Sequence, residues 1–142
     1  MSYTSLTYHI VFGTYSRYST IPIAHESELY AFIYRFLTKR EAKVWRIGGM
    51  PDHVHILCDI PAKYSVAEFV KTLKAEASKF LRTNQHFPNW YGWAEGYGAF
   101  TVEKSQMETR RQYIMNQKAH HGRLSFEDEL SMLLQQYGIS RP

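Results

Sequence analysis

The first part of the chain alternates between apolar and polar positions. One side of residues 3–14 is apolar, with Leu6, Tyr8, Ile10 and Phe12. The other side carries Thr7, His9 and Val11. Because successive side chains of a strand point to opposite faces, this period of two predicts a first strand.

Later segments change to the helical period and back. The pattern predicts a helix at 27–40, strands at 43–48 and 53–60, a helix opened by Ser65, a strand at 97–103 and two helices within about 105–137. Three segments have the form of a capping box: SVAE at 65–68, SQME at 105–108 and SFED at 125–128. The turn formers between the second and third strands predict a hairpin, and they are Gly48, Gly49, Pro51 and Asp52.

This order of elements, β-α-β-β-α-β followed by two helices, predicts an α+β fold. The first six elements match the ferredoxin-like or RRM-like arrangement, an antiparallel sheet with two helices on one face. The two additional C-terminal helices would then cover the other face or pack on a second subunit. A length of 142 residues predicts one domain, 1–142.

Composition limits the cellular compartments and the partners that we expect for this domain. No apolar stretch approaches the length of a membrane helix, and the first residues lack the basic and apolar blocks of a signal peptide. Cys58 is the only cysteine, which excludes an internal disulfide and a thiolate zinc cluster. We therefore expect a reduced, cytoplasmic setting without a membrane partner. The net charge of +4 is a mild preference for a polyanion.

Two histidines interrupt the apolar stretch GMPDHVHILCDIP at 49–61. On the predicted strand, His53, His55 and Leu57 share one face, and the opposite face is uniformly apolar. The histidine face should therefore be the more open one. Two imidazoles at alternate positions can converge on one cation, and imidazole suits Mn, Zn, Fe or Ni. The alternative is that both are polar residues on a solvated sheet face.

The stretch QYIMNQKAHH at 112–121 gives a predicted helix an unusually polar face. Tyr113 and Gln117 lie four positions apart and hence on one face, with Asn116 and His120 near it. A tyrosine phenol can act as a nucleophile in covalent catalysis. Gln117 could add an oxygen ligand to the two histidines. The alternative is that Tyr113 is an ordinary surface or interface aromatic residue.

Basic and aromatic residues are candidates for contact with nucleic acid. The cations that could follow a phosphate backbone are Lys71, Lys74, Lys79, Arg82, Lys104, Arg110 and Arg111. The aromatic residues that could stack unpaired bases are Phe87, Trp90, Tyr91 and Trp93. Both sets have a simpler interpretation, because charges commonly line solvated helix faces and aromatic residues commonly close a small core.

Four stretches, in this order, resemble the small single-tyrosine HUH transposases of bacterial insertion sequences: YHIVFGTYSR, GGMPDHVHIL, GYGAFTVEKS and YIMNQKAHHGRLSFEDEL. The similarity covers nearly the whole chain. It implies that His53 and His55 bind a divalent metal, Mg or Mn, with Gln117 as the third ligand. It also implies that Tyr113 is the nucleophile.

The same resemblance implies an activity and its partners. Transposases of this family bind hairpins at element ends in single-stranded DNA. They cleave and rejoin DNA with a divalent metal, through a 5′-phosphotyrosine intermediate. They are typically homodimers, and the tyrosine helix of one subunit often completes the metal site of the other.

Other interpretations stay open from the sequence. A domesticated relative that nicks single-stranded DNA without moving an element would share these residues. A non-catalytic RRM-like nucleic-acid-binding module has the same element order, but it should place aromatic residues on central strands, where this chain has histidines. A histidine-triad nucleotide hydrolase is disfavoured, because Leu57 stands where a third histidine is needed.

Overall fold

The computed structural model of the chain describes residues 1–120 and 124–141. The strands are β1 (Thr7–Gly13), β2 (Lys43–Met50), β3 (His53–Asp59) and β4 (Gly98–Thr101). The α-helices are α1 (Glu26–Lys39), α2 (Val66–Arg82), α3 (Met107–Met115), α4 (Gln117–His120) and α5 (Phe126–Gln136). His120 ends α4, but its side chain and the whole of His121 lie outside the described part. Among the described helices, none combines the length and the apolar character needed to cross a bilayer.

The strands form one antiparallel sheet in the order β2-β3-β1-β4 within the described part of the chain. The two central strands, β1 and β3, pair so that Ile10 lies opposite Ile56. Helices α1 and α2 connect the strands in the predicted order. The predicted α+β fold, with its antiparallel sheet and additional C-terminal helices, is confirmed.

One face of the sheet packs against α1 and α2 and holds the main core. Val54, Ile56 and Cys58 of β3 are all fully buried on this face, as their alternation predicted. The helices add a continuous apolar stripe that includes Leu29, Ile33, Leu37, Val70, Leu73 and Ala77. This packing fixes β3 in register, so that its other face must carry the two histidines.

The histidine face of the sheet is covered, and the prediction that it would be the more open face is wrong. The C-terminal helices supply its apolar cover, Met107 and Ile114 from α3 and Phe126 and Leu133 from α5. His53 and His55 are consequently 0% exposed. The reason is that both helices fold back onto the sheet of their own chain.

Two of the three predicted capping boxes have the serine cap. Ser65 and Ser125 each accept a hydrogen bond from the backbone amide three residues on, at 3.1 and 3.2 Å. The prediction for Ser105 is wrong. Ser105 lies within a 3₁₀ turn at Lys104–Gln106, and α3 begins at Met107 without a side-chain cap.

The predicted helix that carries Tyr113 is interrupted before it reaches Gln117. Asn116 has φ −94° and ψ 18°, outside the helical range, and it separates α3 from α4. Asparagine is a natural place for such a break, because its side chain competes with helical hydrogen bonding. Tyr113 and Gln117 therefore project from two successive short helices, α3 and α4, and not from one continuous helical face.

Gly48 and Gly49 lie inside β2, so the hairpin turn consists of Pro51 and Asp52 alone. A Cβ atom at Gly48 would lie 2.9 Å from Ile114 Cγ2 and 3.0 Å from Ile114 O. The glycine thus allows α3 to approach the sheet closely. This approach also sets the position of the residue that precedes Ile114 in α3.

We expect Gly48→Val to push α3 away from β2 and to lower the free energy of unfolding by about 1–3 kcal/mol, the usual cost of overpacking. Urea denaturation followed by tryptophan fluorescence measures this change. Ala75→Val on the exposed side of α2 is the matched control and should change stability much less. A Gly48→Val protein as stable as the parent would contradict the close contact with Ile114.

Candidate metal centre

The two histidines of β3 point into a buried polar cluster beneath α3 and α5. His53 Nδ1 lies 2.7 Å from Asp52 Oδ1. His55 Nδ1 lies 2.7 Å from His9 Nε2. Because each Nδ1 atom has a neighbour of its own, each Nε2 atom faces the centre of the cluster. Partners of this kind fix the ring orientation of histidines that bind metals.

Glu129 of α5 occupies the centre of this cluster and is 1% exposed. Its Oε1 atom lies 3.2 Å from the Nε2 atoms of both His53 and His55. Its Oε2 atom accepts hydrogen bonds from the Tyr113 hydroxyl and, at 2.7 Å, from the Gln117 amide. One carboxylate therefore contacts all four residues that the sequence singled out for a metal site and a nucleophile.

Gln117 and Tyr113 both lie next to the histidines, but they differ in how far they are buried. Gln117 is 1% exposed, and its Oε1 atom lies 2.9 Å from His53 Nε2. Tyr113 is partly exposed, and its ring centroid lies 6.1 Å from that of His9 and 5.9 Å from that of His55, both in edge geometry. Tyr113 thus extends from the buried cluster toward the protein surface.

Burial and hydrogen bonding shift the acid–base properties of the cluster. Burial alone would raise the pKa of Glu129, but contacts with His53, His55 and Gln117 lower that pKa far below its usual value. Burial also acts on His53 and lowers its pKa, yet hydrogen bonds to its polar neighbours raise the pKa above its usual value overall. Burial, and then the hydrogen bond to Glu129, raises the pKa of Tyr113. At neutral pH the carboxylate is therefore ionised and the phenol is protonated.

The donor atoms of the cluster fit a divalent cation. His53, His55 and Glu129 each offer one ligand atom, and these atoms all lie within 4.8 Å of one another. Gln117 adds an amide oxygen beside His53. Two imidazoles with oxygen donors suit Mn, Fe or Zn, whereas Mg prefers oxygen ligands alone. A bound cation would replace the protons through which the imidazoles now contact Glu129.

His9 and Glu129 belong to the cluster although the sequence pattern did not single them out, and each had a signal. His9 lies on the polar side of β1, the side that faces away from the main core. Glu129 interrupts the apolar stripe of α5, three residues after Phe126 and four before Leu133. A buried carboxylate is costly unless it is paired. The missing information was the fold-back of α5, which brings Glu129 next to β3.

The seven candidate DNA-binding cations lie on opposite faces of the sheet and form no single stripe within the described residues. Those on α2 are Lys71, Lys74, Lys79 and Arg82, and those on or just before α3 are Lys104, Arg110 and Arg111. Arg110 is 8% exposed and donates to the Tyr137 hydroxyl at 2.9 Å. Lys74 Nζ donates to the carbonyl oxygens of Ala94 and Gly96 at 2.8 and 2.7 Å. A phosphate group would have to compete with these contacts.

Three of the four candidate stacking residues belong to the protein core. Phe87 is 2% exposed. The indole nitrogens of Trp90 and Trp93 donate to Ser78 Oγ at 3.1 Å and to Lys74 O at 3.0 Å. Tyr91 is different, because its side chain points outward. The simpler interpretation therefore holds for three of the four residues.

Comparison with known proteins identifies related sequences. The model of the family described as "Transposase IS200 like" matches residues 2–117. The transposase for insertion sequence element IS200 of Salmonella typhimurium is 27% identical over 120 residues, which cover 78% of this chain and 75% of that protein. The IS200 transposase of Salmonella typhi matches with the same identity and coverage. The family match ends at Gln117, so α5 and Glu129 lie beyond it.

Two solved structures share the fold. A crystal structure from Deinococcus radiodurans R1 has a TM-score of 0.61 at 24% identity and covers 82% of this chain and 95% of that one. A REP-associated tyrosine transposase bound to a REP hairpin has a TM-score of 0.65 at 14% identity, over 87% of this chain and 76% of that one. At these identities the likeness establishes the architecture.

Proposed function

Because this chain belongs to the family of IS200-like transposases, we propose that it binds hairpins in single-stranded DNA and cleaves and rejoins strands with a divalent metal. The proposed intermediate is a 5′-phosphotyrosine on Tyr113. The proposed metal ligands are His53, His55 and Gln117, with Glu129 as an additional ligand. Family membership confirms the resemblance found in the sequence, and the site assignments are our inference.

The observation that carries this proposal is the convergence of a phenol, two imidazoles and an amide on one buried carboxylate. These groups come from a central strand and from two short helices, yet all of them contact Glu129. Polar side chains are costly to bury and rarely gather in this way for stability alone. Clusters of buried groups with shifted pKa values are typical of functional sites.

The residues of the cluster would each have a separate role in the proposed reaction. Asp52 and His9 hold the two imidazoles with their Nε2 atoms toward the cation site. When bound there, a divalent cation supplies Lewis-acid polarisation of a scissile phosphate oxygen. Tyr113 Oη attacks the phosphorus atom in line. The hydrogen bond to Glu129 Oε2 orients the Tyr113 hydroxyl for this attack.

The proposed step conserves the energy of the phosphodiester. The bond from phosphorus to Tyr113 Oη forms as the bond from phosphorus to the 3′ oxygen breaks, and the proton ends on that oxygen. A 3′-hydroxyl of another DNA end can reverse the step and join two strands. The exchange needs no nucleotide cofactor, and the sequence contains no glycine-rich phosphate-loop motif.

Two observations support hairpin DNA as the partner. A structural neighbour is a REP-associated tyrosine transposase bound to a REP hairpin. The net charge of +4 also favours a polyanion. Lys71, Lys79 and Arg82 are exposed on α2 and remain candidates for contacts with the DNA backbone.

The proposed homodimer with shared active sites stays a prediction. In the structure, Tyr113 reaches the cluster of its own chain, because α3 packs directly on β2 and β3. An active site completed in this way does not require a partner's tyrosine. Size-exclusion chromatography with light scattering measures the oligomeric state with and without hairpin DNA.

A denaturing gel tests the proposed activity. The protein is incubated with manganese and with a set of single-stranded oligonucleotides that carry candidate hairpins. We expect a covalent protein–DNA adduct that survives denaturant and disappears when a chelator removes the metal. The absence of an adduct with every hairpin, under conditions where the protein binds them, would overturn the proposal.

Glu129→Gln is expected to weaken manganese binding by at least about 10-fold, the smallest loss that is typical when groups around a metal are changed. The physical reason is that a neutral amide replaces the carboxylate that faces both imidazoles. Titration calorimetry without DNA measures the affinity, in a His86→Ala background because His25, Glu28 and His86 form a second group of possible metal ligands. Asp128→Asn, which removes an exposed carboxylate from the same helix, is the control. Equal affinities for both variants would exclude Glu129 as a ligand.

A further inference from the structure

Three exposed tyrosines form a surface cluster next to the proposed active site. Tyr15, Tyr18 and Tyr91 are 43%, 50% and 63% exposed. The Tyr15 ring centroid lies 4.5 Å from that of Tyr91 and 5.8 Å from that of Tyr18. Together the three residues form a surface, the tyrosine platform. Contiguous exposed aromatic surface is uncommon on proteins and often marks a binding site.

A turn with unfavourable backbone conformations presents the platform. Ser16 and Arg17, between the first two tyrosines, have φ values of 49° and 57°. Such left-handed conformations are unfavourable for residues other than glycine, and they occur preferentially where the geometry serves a site. The Tyr15 amide donates to Gly92 O at 2.9 Å, which ties this turn to the segment that carries Tyr91. The rings are therefore positioned before any ligand arrives.

The platform begins where β1 ends, beside the candidate metal centre. Gly13, the last residue of β1, pairs with His53 across the ladder. The Arg17 guanidinium lies 4.7 Å from the centre of the Phe126 ring, and that ring stacks on His53 at 4.0 Å. Arg17, which is also paired with Glu127, thus connects the turn that carries the tyrosines to the ring that covers His53. A DNA strand that leaves the cluster on this side would pass over the platform.

We propose that the tyrosine platform stacks an unpaired base of the single-stranded DNA that flanks the cleavage site. This inference rests on the proposed function. Aromatic side chains stack on bases of every sequence, because each base has a free π-face when it is unpaired. Bases in a hairpin stem stack on each other and offer no such face. The platform therefore suits the single-stranded flank and not the stem.

An oligodeoxythymidylate that carries one 2-aminopurine tests this inference, because stacking quenches the fluorescence of that base. We expect the full-length protein to quench the probe on binding. Tyr91→Ala should restore the fluorescence and weaken binding by about 5- to 150-fold, the range for loss of one stacked base. Tyr91→Phe keeps the ring and should retain both the quenching and the affinity.

Tyr34→Ala is the matched control, since Tyr34 is 53% exposed on α1, away from the platform. Duplex DNA of the same sequence should bind wild-type protein and Tyr91→Ala equally well at one salt concentration. Quenching by Tyr91→Ala at the wild-type level would overturn the inference, as would an equal loss of affinity for duplex DNA. If the platform instead joins two copies of this chain, the Tyr91→Ala protein will be monomeric and will quench the probe as wild-type protein does. This result too would overturn the inference.

The covalent adduct separates this inference from the proposed function. If wild-type protein forms the adduct and Tyr91→Ala quenches the probe at the wild-type level, the stacking role of the platform is excluded and the proposed cleavage activity stands. If quenching depends on Tyr91 but wild-type protein forms no adduct, the proposed cleavage activity is excluded and the platform stands as a stacking site for single-stranded DNA. The two proposals therefore fail through different measurements.

Discussion

Tyr113→Phe is expected to abolish the protein–DNA adduct, with a loss of cleavage on the order of 10⁴-fold or more, as when a covalent nucleophile is removed. Phenylalanine keeps the ring beside His9 and His55 and removes only the hydroxyl that donates to Glu129. Folding and hairpin binding should therefore be retained. A denaturing gel with a labelled hairpin measures the adduct, and a native gel shift measures binding.

Tyr34→Phe removes an exposed hydroxyl from α1 and should form the adduct at the wild-type level. An adduct from Tyr113→Phe at that same level would contradict the assignment of the nucleophile. Loss of hairpin binding together with the adduct would instead indicate that the Tyr113 hydroxyl has a role in DNA binding or in folding. The circular dichroism spectrum separates these two roles.

His53→Ala is expected to abolish cleavage and to weaken manganese binding by roughly 100-fold or more, because even changes around a metal's ligands commonly cost 10–100-fold. The substitution removes the imidazole that contacts Asp52, Gln117 and Glu129. Hairpin binding should change by only a few fold, because the fully buried His53 side chain has no surface to offer DNA. Titration calorimetry and the gel shift measure the two properties separately.

A second cluster could obscure that metal titration and must be removed first. His25, Glu28 and His86 also offer ligand atoms within 4.8 Å of one another, nearer the surface. His86→Ala is therefore the background for the titrations. The manganese belongs to the candidate metal centre if it binds the His86→Ala protein but does not bind the double variant that also carries His53→Ala. Equal loss of hairpin binding and cleavage in His53→Ala would point to a structural role for this histidine.

The order of elements and the placement of both histidines on one face could be predicted from local patterns. Alternation along β3 assigned Val54, Ile56 and Cys58 to the core, and the structure confirms it. The histidines then had to share the other face, because side chains alternate along a strand. Sequence pattern was sufficient here because the periodicity of a buried strand is a local property.

The environment of that face could not be predicted, because it depends on contacts between distant parts of the chain. Glu129 lies 74 positions after His55, and only the packing of α5 on the sheet brings them to 3.2 Å. The break at Asn116 could not be predicted either, because asparagine disfavours a helix only weakly and does not by itself end one. The interruption matters because it lets Tyr113 and Gln117 approach one carboxylate from different helices.

Mass spectrometry of the purified adduct tests the central claim most directly. Nuclease and trypsin digestion should leave one nucleotide on the peptide that covers residues 112–118, in which Tyr113 is the only tyrosine. The proposed mechanism predicts a nucleotide joined through its 5′-phosphate to Tyr113 Oη. A nucleotide on any other residue, or one joined through its 3′ end, would contradict it.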